Sequence, residues 1–432
     1  MSSSSTLTNR RGFLAAGTAA LGLAPMTWLR AQGASPNDEI AIGIIGCGGM
    51  GIGNMGNFLN IPGVRVVAVC DVDATMAENA KARVDKHYNN QDCKIFARHE
   101  DLLAVPGLDA ISLATPDHWH ARIGIDAANA GMDIYGEKPF TWGLAEGREL
   151  VAAVTKNKRV WQTGCWQRSG GEFRRFKALV QNGTLGKITR FECGTPAGMS
   201  IRKLMPEDQW ATAKPPATLD WERYAKPTGG YPYHPMIHPW NWRWMDEFGG
   251  GQLLDWVGHH VDIALWALGL DGTGPVKVEG TGEKGDHKLF NTYVKYAYQG
   301  TFADGRVIEV RSDFGGTKFT GENGWIHVDR GRLMAADTPD GKGDPRHPLL
   351  RNLPADFAEK VPSHQQDFID CIRSRKLTVA PAESTHRAAS FGQLAIAAID
   401  SKRPLKWDPA AEKVLGDDEQ AKHPRLGSRV NA

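Results

Sequence analysis

Short apolar runs alternate with amphipathic stretches along residues 39–164. The runs are rich in β-branched residues, which is typical of strands buried in a parallel sheet, and the stretches between them repeat their apolar positions with the period of a helix. This alternation predicts a doubly wound α/β sheet with helices on both faces. The predicted strands are 40–45, 64–70, 110–114, 133–135 and 160–163, and the predicted helices are 51–59, 74–87, 118–130 and 143–155.

The pattern changes after residue 165. A stretch rich in Trp, Pro, Gly and His (about 205–252) precedes one predicted helix over 253–268, and strands in series follow it. Strands in series predict an antiparallel sheet that is covered on one face. The chain therefore divides into an α/β domain at 38–164, a C-terminal α+β domain at 165–408 with a mostly antiparallel open sheet, and a tail at 409–432. In the second domain the predicted strands are 276–283, 292–299, 306–313 and 324–328, and the two closing helices are 365–375 and 385–399.

Residues 1–33 form a targeting segment. Arg10 and Arg11 precede a Phe-Leu step and a short Ala/Gly/Leu stretch that is too short for a transmembrane helix. The segment resembles a twin-arginine export signal, which implies that the protein crosses the membrane folded and acts in the periplasm. After the signal is removed, we expect no part of the protein to be inserted in the membrane. The alternative is that the signal stays uncleaved and keeps the protein at the membrane.

Composition excludes several classes of protein. With 41% hydrophobic and 23% charged residues, the chain has enough apolar surface to fold. Three of the 51 basic residues lie in residues 1–33, which contain no acid, so 48 basic and 49 acidic residues remain. A near-neutral body excludes a nucleic-acid polyelectrolyte binder. The six cysteines show no CxxC spacing, which excludes a cysteine-type zinc site and a disulfide scaffold.

The first predicted strand runs into GCGGMG, in which Gly46, Gly48 and Gly51 form the G-x-G-x-x-G pattern. The first glycine permits a tight turn, the second lets the backbone approach a pyrophosphate, and the third lets the helix pack closely. Asp71 lies 20 residues beyond Gly51 at the end of the second strand, where its carboxylate can accept from both ribose hydroxyls. Because Asp71 repels a 2′-phosphate and no arginine follows it directly, the pattern favours NAD over NADP.

Two loops and one helix carry further candidate chemistry. The segments 114–120 and 136–140 follow predicted strands, so they border the ligand crevice of an open α/β sheet, and Lys138 projects into it. In the segment GGGQLLDWVGHH, Asp255 and His259 are four residues apart and share one face of the predicted helix. A carboxylate there can hold the imidazole's tautomer while the imidazole takes a proton from a substrate hydroxyl.

In this order and spacing, GCGGMG, Asp71, TPDHWH, GEKP and GGGQLLDWVGHHVD resemble the glucose-fructose oxidoreductase / inositol dehydrogenase / rhizopine-catabolism (Gfo/Idh/MocA) family, over about residues 38–408. The resemblance implies a Rossmann domain followed by an α/β domain whose open sheet mediates homodimers or homotetramers. It also implies that Lys138 is catalytic with Asp255 and His259, and that His120 lies near the nicotinamide. Relatives carry glycine two positions after the aspartate, whereas this chain has Val257 and then Gly258, so the local backbone is expected to differ.

The predicted site has three groups of residues and no metal ligands. The catalytic residues are Lys138, Asp255 and His259. The cofactor-binding residues are Gly46, Cys47, Gly48, Gly49, Met50, Gly51, Asp71, Thr115, Pro116, His120, Glu137 and Lys138. The substrate-binding residues are Lys138, Trp166, Gln167, Arg168, Tyr233, His238, Trp242, Asp255 and His259, and several of these are aromatic side chains suited to stacking on a sugar.

These residues predict an NAD-dependent enzyme that oxidises a secondary hydroxyl of a sugar, polyol or glycoside. Because the periplasm offers no obvious pool of free NAD, the export signal predicts a tightly bound cofactor that is recycled in place. The alternative is a redox-neutral, NAD-dependent glycoside hydrolase that oxidises, eliminates, hydrates and reduces its substrate. Two further alternatives are a metalloenzyme that uses the chain's histidines and a non-catalytic sugar-binding protein.

Overall fold

A computed structural model describes residues 39–202, 205–358 and 360–431 of the chain. Its first part consists of β1 (Ile40–Ile45), α1 (Gly49–Leu59), β2 (Val64–Cys70), α2 (Ala74–Tyr88), β3 (Lys94–Phe96), α3 (His99–Leu103), β4 (Ala110–Leu113), α4 (His120–Asn129), β5 (Asp133–Gly136), α5 (Leu144–Lys156) and β6 (Trp161–Thr163). The strands form one parallel sheet in the order β3-β2-β1-β4-β5-β6, and apolar side chains pack on both of its faces. The predicted doubly wound sheet is confirmed.

Two short segments differ from the predicted elements. Strand β3 was not predicted; it is an edge strand in which Lys94 and Ile95 are exposed, so it lacks the apolar run of a buried strand. The helix predicted over 118–130 begins at His120, because a 3₁₀ turn over Asp117–Trp119 precedes it.

The second part of the chain carries α6 (Gly171–Gln181), β7 (Ile188–Gly194), α7 (Trp221–Ala225), α8 (Gly251–Trp256), α9 (Asp262–Leu268), β8 (Lys277–Lys284), β9 (Tyr293–Thr301), β10 (Val307–Arg311), β11 (Gly316–Gly321), β12 (Gly324–Asp329), β13 (Arg332–Ala336), α10 (His364–Ser374), α11 (Ala382–Ser401), β14 (Leu405–Asp408) and β15 (Lys413–Val414). Nine strands form one sheet in the order β13-β12-β11-β7-β10-β9-β8-β14-β15. Neighbouring strands are antiparallel except for β7 and β10, which run parallel.

One face of this sheet is covered and the other is open. Along β9, Tyr293, Tyr296 and Tyr298 are buried, whereas Lys295 and Ala297 between them are exposed. The buried side chains share a core with the helices of this domain, including α8, α9 and α11. The predicted mostly antiparallel sheet is confirmed, and β7, β11 and β13 to β15 add to the four strands that were predicted.

The helix predicted over 253–268 is interrupted. Between α8 and α9, residues Val257–Val261 form a π-helical turn, which accommodates one more residue than an α-helical turn. Asp255 is the second-last residue of α8 and His259 lies inside the π-helical turn, so the two do not share one continuous α-helix. Wide turns of this kind are frequent at functional sites.

The C-terminal residues 409–431 pack onto the rest of the protein instead of forming a separate tail. Strand β15 extends the nine-stranded sheet, and Arg425 is fully buried with its guanidinium 4.1 Å from the ring of Trp142. Among the described residues, no helix combines the length and the apolar character needed to cross a bilayer. The predicted export signal at 1–33 lies outside the described residues.

Candidate active site

The glycine-rich turn joins β1 to α1. Gly46 has a φ of +87°, and a Cβ at this position would lie 2.7 Å from the backbone of Ala114. A Cβ on Gly51 would lie only 1.8 Å from the Gly46 carbonyl oxygen, so only glycine allows the helix to start so close to the strand. A Cβ on Gly48 or on Gly49 would meet nothing within 4 Å, so this side of the turn faces open space. The first turn of α1 therefore presents free N–H groups at the crevice, which fits a pyrophosphate.

Asp71 follows β2 at the adjacent corner of the crevice. Its two carboxylate oxygens accept the N–H groups of Cys47 (2.7 Å) and Asp73 (2.9 Å), which fix the side chain beside the glycine-rich turn. Burial raises the pKa of the Asp71 carboxyl to about 6, although these N–H donors partly offset the effect. Each oxygen keeps a second lone pair, so the carboxylate can still accept ribose hydroxyls. Arg223 also lines this end, but its guanidinium contacts Glu100 and His99.

A crevice of about 1040 Å³, part of it open to solvent, lies along the carboxyl ends of the parallel strands. The position of the crevice at the carboxyl ends of the strands and the open turn at one end fit a dinucleotide, which doubly wound α/β sheets bind at this edge. Its walls contain most residues that were predicted to bind the cofactor, together with three predicted substrate residues. The predicted residues that line it are Gly46, Gly48, Gly49, Met50, Asp71, Thr115, Pro116, Glu137, Lys138, His238 and Trp242.

Lys138 lies at the far end of this crevice and joins it to the second domain. Its Nζ donates to Oδ1 of Asp255 at 2.7 Å, and Nε of Arg243 lies 3.9 Å from the same oxygen. Burial by itself raises the pKa of Asp255, but the positive charges of Lys138 and Arg243 outweigh it and hold that pKa below its usual value. Asp255 is therefore an ionised carboxylate that fixes the position of the lysine ammonium.

His259 is buried next to this ion pair. Burial and the positive charges of Lys138 and Arg330 hold the pKa of its imidazole well below the usual value, so the ring is neutral at pH 7. Its Nδ1 is buried without a hydrogen-bond partner among the described residues. The indole rings of Trp256 and Trp166 contact the imidazole edge-on, with centroids 5.1 and 6.2 Å away.

The structure does not pair Asp255 with His259 as the sequence predicted. His259 lies in the π-helical turn, and among the described residues no hydrogen bond joins it to Asp255. The carboxylate accepts from Lys138 instead, and Nδ1 of His259 has no partner. The same turn explains the displaced glycine of the motif. A Cβ on Gly258 would lie 2.8 Å from Cβ of Lys138, so glycine is required where the turn packs against the lysine side chain.

Several predicted site residues lie away from the crevice. His120 uses its two ring nitrogens to contact the carbonyls of Pro139 (2.8 Å) and Thr115 (2.9 Å), so it braces the two loops instead of lining the wall. Arg168 is 1% exposed and forms a bidentate ion pair with Asp262. A guanidinium that is committed to a buried carboxylate cannot contact substrate, so the prediction for Arg168 is corrected.

The side chains of three other predicted residues do not line the crevice. Gln167 is buried outside the crevice lining, and its side-chain amide has no partner among the described residues. Tyr233 packs edge-on against Trp221 with centroids 5.1 Å apart. Cys47 is buried and acts through its N–H, which holds Asp71.

Three residues at this site were not predicted from the sequence. Asp117 lines the crevice and is 3% exposed; burial and the charge of Asp255 raise its pKa to about 7. Arg243 stacks on Trp240 and Trp242 and faces Asp255. Arg330 reaches the His259 cluster from the β12–β13 hairpin. Asp117 lies within the TPDHWH motif, so its place at the site could have been predicted. No local sequence pattern indicates that Arg330 belongs to the site.

The histidines of the metalloenzyme alternative are dispersed. His118 contacts the carbonyl of Tyr224, His260 contacts that of Gly194, and His234 packs against Trp210. In the part of the chain that the structure describes, no three His, Cys, Asp or Glu side chains converge as a metal site requires.

Two family models together account for most of the chain. Residues 40–165 match the oxidoreductase family's NAD-binding Rossmann fold, and residues 169–426 match the C-terminal α/β domain of the same family. The chain belongs to the Gfo/Idh/MocA oxidoreductase family. Its first domain is thus an NAD-binding Rossmann domain, in agreement with the crevice beside the glycine-rich turn.

Curated relatives match over part of their length. An uncharacterized oxidoreductase, YrbE, of Bacillus subtilis (strain 168) is 32% identical over 200 residues, which are 46% of this chain and 51% of the relative. Inositol 2-dehydrogenase of Rhodococcus jostii (strain RHA1) is 27% identical over 37% of this chain and 42% of the relative. Glycosyl hydrolase family 109 protein 2 of Shewanella sp. (strain ANA-3) is 28% identical over 36% of this chain and 35% of the relative. The chain spans about half or less of the length of these relatives.

The fold has solved counterparts. Levoglucosan dehydrogenase, solved in complex with NADH and L-sorbose, superposes with a TM-score of 0.61 at 18% identity, covering 85% of this chain and 99% of that protein. At this identity the similarity establishes the shared fold.

Proposed function

We propose that this protein is an NAD-dependent oxidoreductase that acts on a secondary hydroxyl of a sugar, polyol or glycoside. The observation that carries the proposal is the Lys138–Asp255 ion pair, 2.7 Å long, at the end of the dinucleotide crevice and beside the neutral His259. Alcohol oxidation needs a cation near the developing alkoxide and a base for the hydroxyl proton. Lys138 lines this end of the crevice, and His259 is buried close to Lys138.

Each of the three side chains has a distinct task in this proposal. The Lys138 ammonium donates a hydrogen bond to the substrate hydroxyl oxygen and stabilises the negative charge that develops on it. The hydroxyl proton passes to the imidazole of His259, whose buried Nδ1 is unpartnered. Asp255 positions the lysine. NAD, when bound, supplies the acceptor for the hydrogen and two electrons that leave the carbinol carbon.

Aromatic side chains support a carbohydrate as the substrate. Trp240 and Trp242 line the crevice near Lys138, and Arg243 stacks on both indoles at 4.2 and 4.5 Å. Arg202 also lies over Trp240, 3.3 Å from its centroid, so of these two indoles Trp242 is the one proposed to contact the apolar face of a sugar ring. The sugar hydroxyls then bind the polar groups at the rim. The names of two relatives, an inositol 2-dehydrogenase and a glycosyl hydrolase, agree with a carbohydrate substrate.

A panel of free sugars, polyols and glycosides tests this function. The protein is incubated with each compound and NAD, and both the absorbance of reduced cofactor and the products are recorded. Oxidation of at least one secondary alcohol is expected from the wild-type protein and not from Lys138→Ala. Turnover of no compound, with NAD bound, would contradict the proposal.

We also propose that residues 1–33 direct the folded protein to the periplasm and that NAD is loaded before export and retained. The twin arginines at positions 10 and 11 support this route. Denaturing the purified protein should release about one dinucleotide per chain. Activity that depends wholly on added NAD, with none released, would exclude retention. Replacing both arginines by lysine should leave the protein in the cytoplasm, which fractionation would detect.

A second candidate function is redox-neutral glycoside hydrolysis, which the glycosyl hydrolase relative favours. In this reaction the sugar is oxidised to a ketone, loses its aglycone by elimination, takes up water and is reduced again. The same panel separates the two functions, because hydrolysis releases the aglycone without net reduction of NAD. Formation of a stable keto sugar supports the dehydrogenase instead.

A further inference from the structure

Arg330 occupies the turn of the hairpin between β12 and β13. Gly331 in this turn has a φ of +67°, which glycine adopts readily. Its N–H donates to Oε1 of Glu172 on α6 at 3.0 Å, so the turn is held against that helix. The N–H of Arg330 donates to Oδ1 of Asp329 at 2.7 Å. That carboxylate oxygen also lies 3.4 Å from Nε2 of His260 in the π-helical turn. The hairpin is thus tied to the segment that carries His259.

The guanidinium of Arg330 lies against two indole rings. Its Cζ is 4.7 Å from the centroid of Trp166 and 4.6 Å from that of Trp256. Both indoles also contact the imidazole of His259. The two tryptophans therefore hold an arginine beside the proposed base, although residues 166, 256 and 330 are far apart in the sequence.

Stacking uses the faces of a guanidinium and leaves its edge available. The N–H donors lie in the plane of the group, where a carboxylate or phosphate binds them in pairs. Within the described residues, no carboxylate lies within ion-pair distance of the Arg330 guanidinium, since the adjacent acid, Asp329, faces His260. Arg330 as a whole is exposed. No hydrogen-bond partner of these donors appears among the described residues, so they are available to a ligand.

The charge around the proposed site also favours an anionic ligand. Lys138, Arg243 and Arg330 all act on the carboxylate of Asp255, which is paired most closely with Lys138. Asp117 and Glu137 also line the crevice beside Lys138, whereas Arg330 has no ion-pair partner among the described residues. A neutral sugar does not pair with the charge of Arg330. A substrate that carries an oxyanion does, and it can do so at the edge of Arg330.

We propose that Arg330 is a specificity-determining residue that binds the oxyanion of an acidic carbohydrate, a carboxylate or a phosphate group. This inference deepens the proposed function and rests on it only for the identification of the ligand as a substrate. Binding of the acid group at Arg330 places the sugar ring between the two tryptophans and the Lys138 end of the crevice.

Equilibrium binding tests the inference separately from turnover. D-glucuronate, D-glucose 6-phosphate and D-glucose are titrated calorimetrically into the full chain saturated with NAD. Wild-type protein should bind at least one of the two acids about 10–100-fold more tightly than glucose, which is the range for hydrogen bonds to charged groups. Arg330→Gln should remove that difference and leave glucose binding within about twofold. The two acids distinguish a carboxylate from a phosphate ligand.

Arg332→Gln is the matched control, because it removes the same charge from the same hairpin and Arg332 stacks on neither indole in the described part of the chain. It should keep the preference for the acid. Equal binding of all three probes, no binding of either acid, or an undiminished preference in Arg330→Gln would overturn the inference. If the Arg330-dependent binding is present but no sugar reduces NAD, the proposed oxidation fails and the anion site stands.

Discussion

The two walls of the candidate site are built in different ways. The wall of the first domain is local: Gly46, Gly51 and Asp71 belong to one strand–helix–strand unit, and a single N–H from Cys47 joins the turn to the acid. The wall of the second domain is assembled from distant segments. His259 contacts Trp166, and Arg330 reaches the same cluster from a hairpin.

This difference shows where a motif suffices and where it does not. A dinucleotide turn depends on backbone conformation over a few residues, so its glycines identify it. The second wall depends on which side chains meet after the sheet and helices have packed. Lys138 connects the two walls, because it follows β5 in one and pairs with Asp255 in the other.

Replacing Arg168 by alanine should have the largest effect on stability and break the second wall. It leaves the carboxylate of Asp262, which is 1% exposed, buried without its partner. Loss of such a partner costs about 3–5 kcal/mol of the free energy of unfolding, measured as a shift of the urea midpoint. Arg65→Ala, which removes an exposed ion pair with Asp92, should cost less than about 1 kcal/mol. If Arg168→Ala were as stable as the wild type but bound substrate more weakly, the original prediction that Arg168 contacts the substrate would be supported.

Lys138→Ala tests the connection between the walls. Losing the cation at the reacting oxygen should lower kcat by about 10²–10³-fold, while the bound dinucleotide per chain stays unchanged. Steady-state kinetics and cofactor release on denaturation measure the two quantities. Lys156→Ala, at the exposed end of α5, is the control and should behave like the wild type. An unchanged kcat in Lys138→Ala would contradict the role proposed for this lysine.

Gly51→Ala breaks the local wall alone. Its methyl group would overlap the Gly46 carbonyl, so the turn must open, at a cost of roughly 1–3 kcal/mol and with loss of bound NAD. Gly53→Ala on the same helix meets nothing within 4 Å and should be stabilising by about 0.5–1 kcal/mol. Urea midpoints and dinucleotide content compare the pair. Equal behaviour of the two variants would mean that the close approach at Gly51 is unimportant.

Asp117→Asn measures how strongly the walls are coupled. Burial, followed by the charge of Asp255 in the opposite wall, raises the pKa of Asp117 to about 7. A raised carboxyl pKa makes the folded state bind the proton more tightly than the unfolded state. Its stabilisation is thus complete below about pH 4 and is lost as the pH rises through 7. Between pH 6 and 8 the loss should be about 1 kcal/mol, and Asp117→Asn should lack it. An unchanged pH profile of the urea midpoint would contradict this coupling.

Much of the fold was open to prediction from the sequence. Both sheets and the change of character near residue 165 follow from hydrophobic period, because buried strands and amphipathic helices impose it locally. Strand β3 was not predicted because it is a short edge strand with exposed residues and lacks an apolar run. The π-helical turn at Val257–Val261 escaped because no local pattern signals an additional residue in a helix, and with it the partner of Asp255 was predicted wrongly.

By itself the sequence determined the dinucleotide end of this protein, since the conformations of Gly46 and Gly51 and the position of Asp71 are properties of a short continuous segment. Only the tertiary structure decided that Asp255 holds Lys138, that Arg168 is buried in an ion pair, and that Arg330 lies between two tryptophans. Those contacts join segments separated by many residues, and their partners are chosen by packing and charge in three dimensions. The hydrophobic periodicity of the chain carries no information about which distant side chains will pair.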